Sequence, residues 1–250
     1  IFVIITVAGR DLLARGGLPW SGAAVGIVLV SGLVHLGYNL CLQRGYQVAD
    51  LSVVYPVARG TGPMLSSLGA FLILGEAPSA TGLAGLALVV GGILLIATQG
   101  RLAAFTRPGG QAGLRWGTAT GGLIACYTVL DAYAVKVLGF APVVLDWLLN
   151  LFRVVMLLPM VAADRRRAVA AMRGHWWRAL GVGVLSPLSY ILVLIALSGG
   201  APLSLVAPMR EMSMMVGALM GLVILHERVG PWRLMGCGVL ALGVMLLSAA

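Results

Sequence analysis

Charge is scarce in this sequence. Only 10% of its 250 residues are Asp, Glu, Lys or Arg, and eight of them are acidic. A soluble domain carries about 25% charged and about 45–50% apolar residues. Here 60% are apolar and the mean hydropathy is +1.02, which excludes a soluble domain and indicates a polytopic membrane protein. Cysteine is also sparse. Cys41, Cys126 and Cys237 lie far apart within apolar segments. They lack metal-site spacing and read as small buried hydrophobes. There is no phosphate-cradling glycine loop, no HExxH and no nucleophile elbow. No enzyme, metal or other cofactor is therefore expected. An ATP-driven pump would need a nucleotide domain that this sequence does not hold.

The net charge is +9, which raises the question of nucleic acid. The basic residues, however, sit in a few interhelical loops with no interleaved aromatics, so they are better read as setting membrane orientation. The expected partners are a small-molecule substrate and the lipid bilayer, with a homodimer as an open option and no nucleic acid.

One stretch organises the rest. Leu51 to Gly75, LSVVYPVARGTGPMLSSLGAFLILG, is long enough to cross a bilayer, which takes about 20 residues. Yet it holds Arg59 between Pro56 and Pro63. Arginine is costly in lipid and should face protein or a water-filled cavity. Backbone freed by the prolines is tolerated only beside other helices or a cavity.

The stretch recurs as Leu203 to His226, LSLVAPMREMSMMVGALMGLVILH. Tyr38, Leu51-Ser52 and Pro56 match Tyr190, Leu203-Ser204 and Pro208. One residue is then lost, and Arg59, Glu76, Gly85 and Gly92 match Arg210, Glu227, Gly236 and Gly243. This order marks an internal duplication. The matched helices are five apart, and an odd number reverses direction, so the repeats should be inverted in the membrane. Inverted repeats with broken helices near the midplane are a recurring plan of secondary transporters.

Hydropathy predicts helices at about 21–43, 52–74, 79–98, 117–138, 142–163, 176–198, 203–225 and 230–249, with short loops and antiparallel neighbours. Trp20, Trp116, Trp176, Trp177 and Trp232 fall at predicted helix starts, as interfacial anchors would. Glu76 and Glu227 read as helix caps or interfacial pairs. The methionines Met209, Met212, Met214, Met215 and Met220 read as packing. Eleven loop arginines lie on one side: Arg44, Arg101, Arg107, Arg115, Arg165, Arg166, Arg167, Arg173, Arg178, Arg228 and Arg233. Arg10, Arg15 and Lys136 lie on the other. The positive-inside rule puts the first group in the cytoplasm and the C-terminus outside. The opening IFVIITVAGR reads as the second half of a cut helix, with the native N-terminus missing.

The segments HLGYNLCLQRGYQVADLSVVYPVARGTGP, with Gly75-Glu76, resemble the first half of EamA-type permeases of the drug/metabolite transporter superfamily. IACYTVLDAYAV, APLSLVAPMREMSMMVGALMG and HERVGPWRLMGCGVL resemble the second. The resemblance implies an all-α polytopic bundle of two inverted EamA repeats in the plasma (inner) membrane. Residues 1–100 would form the first repeat, lacking its first helix and part of its second. Residues 113–250 would form the second, leaving about eight full transmembrane helices. It also implies both termini in the cytoplasm, against the arginine count.

Depth follows from a rise of about 1.5 Å per residue. Arg59 and Arg210 are each eighth in their predicted helices, and those helices start on opposite sides. Counting groups His35 and Asn39 with Arg59, and Tyr127, Asp131 and Glu211 with Arg210. Asp131 is then the counter-ion expected for Arg210. Arg153 lies mid-helix, and Tyr38 and Tyr190 are a repeat pair. All ten are candidates for a substrate or ion path. Arginine offers a fork for carboxylate or phosphate, and Asp131 or Glu211 could carry a proton. The function expected is alternating-access efflux of a small polar or amphipathic metabolite, amino-acid-like or similar. The alternatives are a lipid-linked-sugar translocase of the same fold and a non-transporting membrane scaffold.

Overall fold

The computed structural model describes residues 21–49, 51–99, 110–224 and 230–249, and every regular element among them is helical. In chain order these are α1 (Gly22–Val48), α2 (Leu51–Ile73), α3 (Ala80–Thr98), α4 (Gly110–Lys136), α5 (Pro142–Ala163), α6 (Arg165–Met172), α7 (Trp176–Ser198), α8 (Leu203–Met209), α9 (Met212–Val223) and α10 (Pro231–Ser248). The expectations for residues 1–20, for Arg101 and Arg107, and for Glu227 and Arg228 lie outside the described residues.

Helices α1, α3, α5, α7 and α10 are each long and apolar enough to cross a membrane. Their outward faces are unusually apolar. Val182 and Leu185 on α7 are 67% and 66% exposed, which water would penalise and lipid does not. The segments α2, α4 and α8–α9 carry Arg59, Asp131 and Arg210-Glu211. Local signals set the ends. The Ser79 hydroxyl accepts the Gly82 N–H at 2.9 Å and starts α3. Gln99, in the left-handed region at φ 50°, ends it.

Helix α1 runs five residues past its expected end, so Arg44 lies within it and not in a loop, and three further features differ from the hydropathy reading. Helix α4 begins at Gly110, so Trp116 lies inside it and not at its start. The roughly two added turns continue a packed seam: Gly113, Gly117 and Gly121 face Val53, Val57 and Thr61 of α2, small residues that let the backbones approach. Second, the arginine run after Asp164 forms the short helix α6. Third, the span expected at 203–225 breaks into α8 and α9 at Arg210-Glu211. Here Glu211, Ser213 and Met214 donate backbone bonds to Pro208, Arg210 and Glu211 at 3.0, 3.3 and 2.9 Å. These i to i−3 bonds form a tighter turn than the α-helix. The break falls where the second repeat is one residue shorter than the first. Helix α2 keeps that residue and runs unbroken through Pro56 and Pro63.

The described residues form two compact units, those within 21–36 and 130–200 and those within 37–129 and 201–249. In the first, α5 lies against α7, and Gly32 of α1 makes room for the ring of Phe152. In the second, α3 and α10 cross so closely that only glycine fits. A Cβ at Gly85 would meet the Leu247 N at 2.9 Å, and one at Gly236 would meet the Ile96 N at 2.7 Å. A Cβ at Gly92 would meet the Leu240 N at 2.7 Å, and one at Gly243 the Val89 N at 2.7 Å. The numbers in these pairs sum to a constant, so the helices are antiparallel. The pairs also exchange under the repeat match: 85 with 247 becomes 236 with 96, and 92 with 240 becomes 243 with 89. Such reciprocity is what a twofold axis between equivalent helices produces, and it lies across the helix axes, as inverted repeats require.

Candidate functional site

In the second unit the two repeat-related arginines meet one carboxylate. Arg59 Nε lies 3.1 Å from Glu211 Oε2, and its Nη1 donates to Oε1 at 3.4 Å. Arg210 Nε lies 3.7 Å from Oε1. Glu211 is fully buried, and leaving such a carboxylate without a cation costs several kcal/mol. The α8–α9 turn places Arg210 and Glu211 side by side, and α2 brings Arg59. Because of the one-residue slip, the first-repeat counterpart of Glu211 is Gly60. The pair of arginines is therefore duplicated and the acid is not.

The same unit fixes the start of α8. The backbone N–H groups of Leu203 and Ser204 donate to the two Glu76 carboxylate oxygens at 2.6 and 2.9 Å. This satisfies otherwise orphaned donors and puts negative charge at the helix N-terminus. The cap expected of Glu76 is thus present, on a helix distant in sequence.

Arg59 keeps 26% of its side chain exposed and lines a cavity of about 210 Å³ with Tyr38, Leu42, Tyr46, Tyr55, Ala58 and Ile124. Its guanidinium carbon is 5.7 Å from the centroid of the Tyr55 ring, within cation–π range. Tyr38 in turn packs on Tyr127, with ring centroids 5.6 Å apart. The cavity therefore combines a partly open cation with aromatic walls bearing hydroxyls.

The first unit holds a separate cluster on a fully buried Asp131. Ser31 Oγ donates to Oδ1 at 2.5 Å, His35 Nε2 lies 3.0 Å from Oδ2, and the Tyr190 hydroxyl donates to Oδ2. The His35 and Tyr190 rings meet edge to face at 5.7 Å. On α5, Asn150 Nδ2 donates to the buried Asp146 at 2.9 Å, and Arg153 Nε donates to the Leu149 carbonyl at 3.4 Å. Asn39 is half-buried on α1.

The grouping expected from depth is corrected by this geometry. Glu211 is the counter-ion seen on both Arg59 and Arg210, and Asp131 is seen with Ser31, His35 and Tyr190. His35, which depth grouped with Arg59, is on Asp131 together with Tyr190. Counting rise fixes the level of a residue along its helix but not the direction it faces. With 3.6 residues per turn, residues at one depth can point to opposite sides. Ser31, Tyr46, Tyr55 and Asp146 were missed. Asp146 carried the clearest signal, a lone carboxylate within PVVLDWLLN, which the rule applied to Asp131 would have flagged. Of the five methionines read as packing, Met212, Met214 and Met215 pack against the core of Val89, Ile93 and Leu240, whereas Met209 and Met220 are exposed.

A solved crystal structure superposes on this chain with a TM-score of 0.71 at 18% identity, covering 99% of this chain and 84% of that one. At that identity the likeness is one of fold. No curated protein matches the chain. The model of the EamA-like transporter family matches residues 112–249, the segment that carries Asp131, Tyr190, Arg210 and Glu211. The chain belongs to the EamA-like transporter family and is a multi-pass membrane transporter of the drug/metabolite type.

Proposed function

We propose that the protein is a secondary transporter that moves a small amphipathic metabolite with an anionic group, amino-acid-like in character, by alternating access. The direction is efflux across the plasma membrane. The observation that supports this most is the cavity holding Arg59 among Tyr38, Tyr46 and Tyr55. A guanidinium fork suits a carboxylate, and tyrosines offer an apolar body with a polar tip. The reciprocal α3–α10 contacts support a two-repeat carrier, because alternating access is largely motion of one repeat against the other. We assign proton coupling to Asp131. It is buried in a membrane helix, where an ionisable group is costly and generally functional.

Solute counterflow in proteoliposomes tests this reading. Labelled L-phenylalanine and 3-phenylpropionate should exchange against the same unlabelled solute, and the uncharged 3-phenylpropionamide should not. Equal exchange of the amide, or no carboxylate exchange together with movement of a lipid-linked sugar, would overturn it.

A further inference from the structure

The ion pairs around Glu211 suggest more than a binding site. Arg59 is the cation that opens to the tyrosine-lined cavity, and its carboxylate partner is protein, not ligand. Glu211 lies at a helix break, 3.1 Å from Arg59 on one side and 3.7 Å from Arg210 on the other. A buried carboxylate can leave one cation cheaply only if a second stands by, since an isolated buried charge costs several kcal/mol. Arg210 supplies that second cation. The turn carrying Glu211 replaces regular helix with i to i−3 bonds, so a shift of the carboxylate there would not have to unwind a continuous span. The first repeat, with Gly60 at the matching place, has no such acid.

We propose that Glu211 is a built-in competitor for the anion site: it holds Arg59 in the empty protein and passes to Arg210 when an anionic ligand enters the tyrosine-lined cavity. This deepens the reading of Arg59 as the substrate site and rests on it. Glu211 keeps the arginine neutralised when no substrate is present. Ligand binding is then linked to a shift at the α8–α9 break, since the displaced carboxylate draws on Arg210 in the adjoining turn. The ligand class that can trigger the shift is an anion with an apolar or aromatic body. A neutral analogue fills the cavity without displacing the acid.

Equilibrium binding of 3-phenylpropionate to purified protein in nanodiscs tests this, with 3-phenylpropionamide as the neutral control. Glu211→Gln removes the competitor. If the acid occupies Arg59 nine-tenths of the time or more, affinity rises about tenfold or more. Binding of the amide stays the same. Glu211→Asp retracts the carboxylate while keeping its charge, and it should tighten binding by a smaller factor. It serves where Glu211→Gln does not fold. Arg59→Gln should abolish binding of the carboxylate. If Arg59→Gln abolishes binding while the Glu211 variants weaken it or leave it unchanged, the substrate site stands and the competition is refuted. If Arg59→Gln leaves carboxylate binding intact, the site reading itself fails. Absence of saturable carboxylate binding in every variant refutes both.

Discussion

A single methyl group at Gly92 tests the packing that holds the second unit together. A Cβ there would sit 2.7 Å from the Leu240 N and 2.8 Å from its Cα. Ordinary carbon contacts lie at about 3.5–4.0 Å. Both are backbone atoms, so no side-chain rotation relieves the clash and the helices must part by close to 1 Å. A gap of about 0.5–1 Å forfeits a quarter to a half of each dispersion contact along the seam. Gly92→Ala should therefore cost about 1–3 kcal/mol, the usual range for overpacking. Gly91, one residue earlier, has nothing within 4 Å of the same added atom. Gly91→Ala should be neutral or slightly stabilising. The reciprocal contact makes a sharper demand. Gly243→Ala, whose Cβ would meet the Val89 N at 2.7 Å, should cost about as much as Gly92→Ala. The double variant should cost less than the sum, because helices already parted accept the second methyl. Reversible unfolding in detergent measures all four. Equal losses for Gly91→Ala and Gly92→Ala, or full additivity of the pair, would refute the close reciprocal crossing.

Three further outcomes are expected. Glu76→Gln removes the carboxylate capping α8 and should cost about 0.5–2 kcal/mol, with faster hydrogen exchange at the amides of Leu203 and Ser204; unchanged protection there would contradict the cap. Asp131→Asn should leave folding and solute exchange intact while abolishing gradient-driven uptake, whereas parallel loss of stability and exchange would make Asp131 a static partner. Arg59→Lys keeps the charge but loses the fork. Forfeiting one hydrogen bond to a charged group, worth about 1.5–3 kcal/mol, should weaken carboxylate affinity roughly ten- to hundredfold, and unaltered affinity in a binding titration would argue against bidentate recognition.

Much of this architecture was legible in the chain because membranes impose strong, local constraints. Apolar length marks a span, and the repeat match from Tyr38 to Gly92 located the helices that cross at Gly85 and Gly243. The arginines were found by the same logic, since Arg59 and Arg210 stand out against lipid. What was not legible depends on rotation and on tertiary contact. Depth counting paired Asp131 with Arg210, although Asp131 turns toward Ser31, His35 and Tyr190. The break at Arg210-Glu211 was implicit in the one-residue slip, yet hydropathy alone runs straight through it. The early start of α4 depends on the glycines that face α2, a seam visible only once both helices are placed. Tyr46 and Tyr55 carry no signal of their own, because a tyrosine in a span is as readily a packing residue as a cavity wall.

The most direct test of the Arg59 site is counterflow of labelled 3-phenylpropionate in proteoliposomes bearing the wild-type protein, Arg59→Gln or Arg153→Gln at matched density. Arg153 is also a membrane arginine, but its Nε hydrogen bond goes to the Leu149 carbonyl of its own helix, and it does not line the tyrosine cavity. Counterflow lost in Arg59→Gln and kept in Arg153→Gln is the result expected. Counterflow that survives Arg59→Gln at the wild-type rate would contradict it.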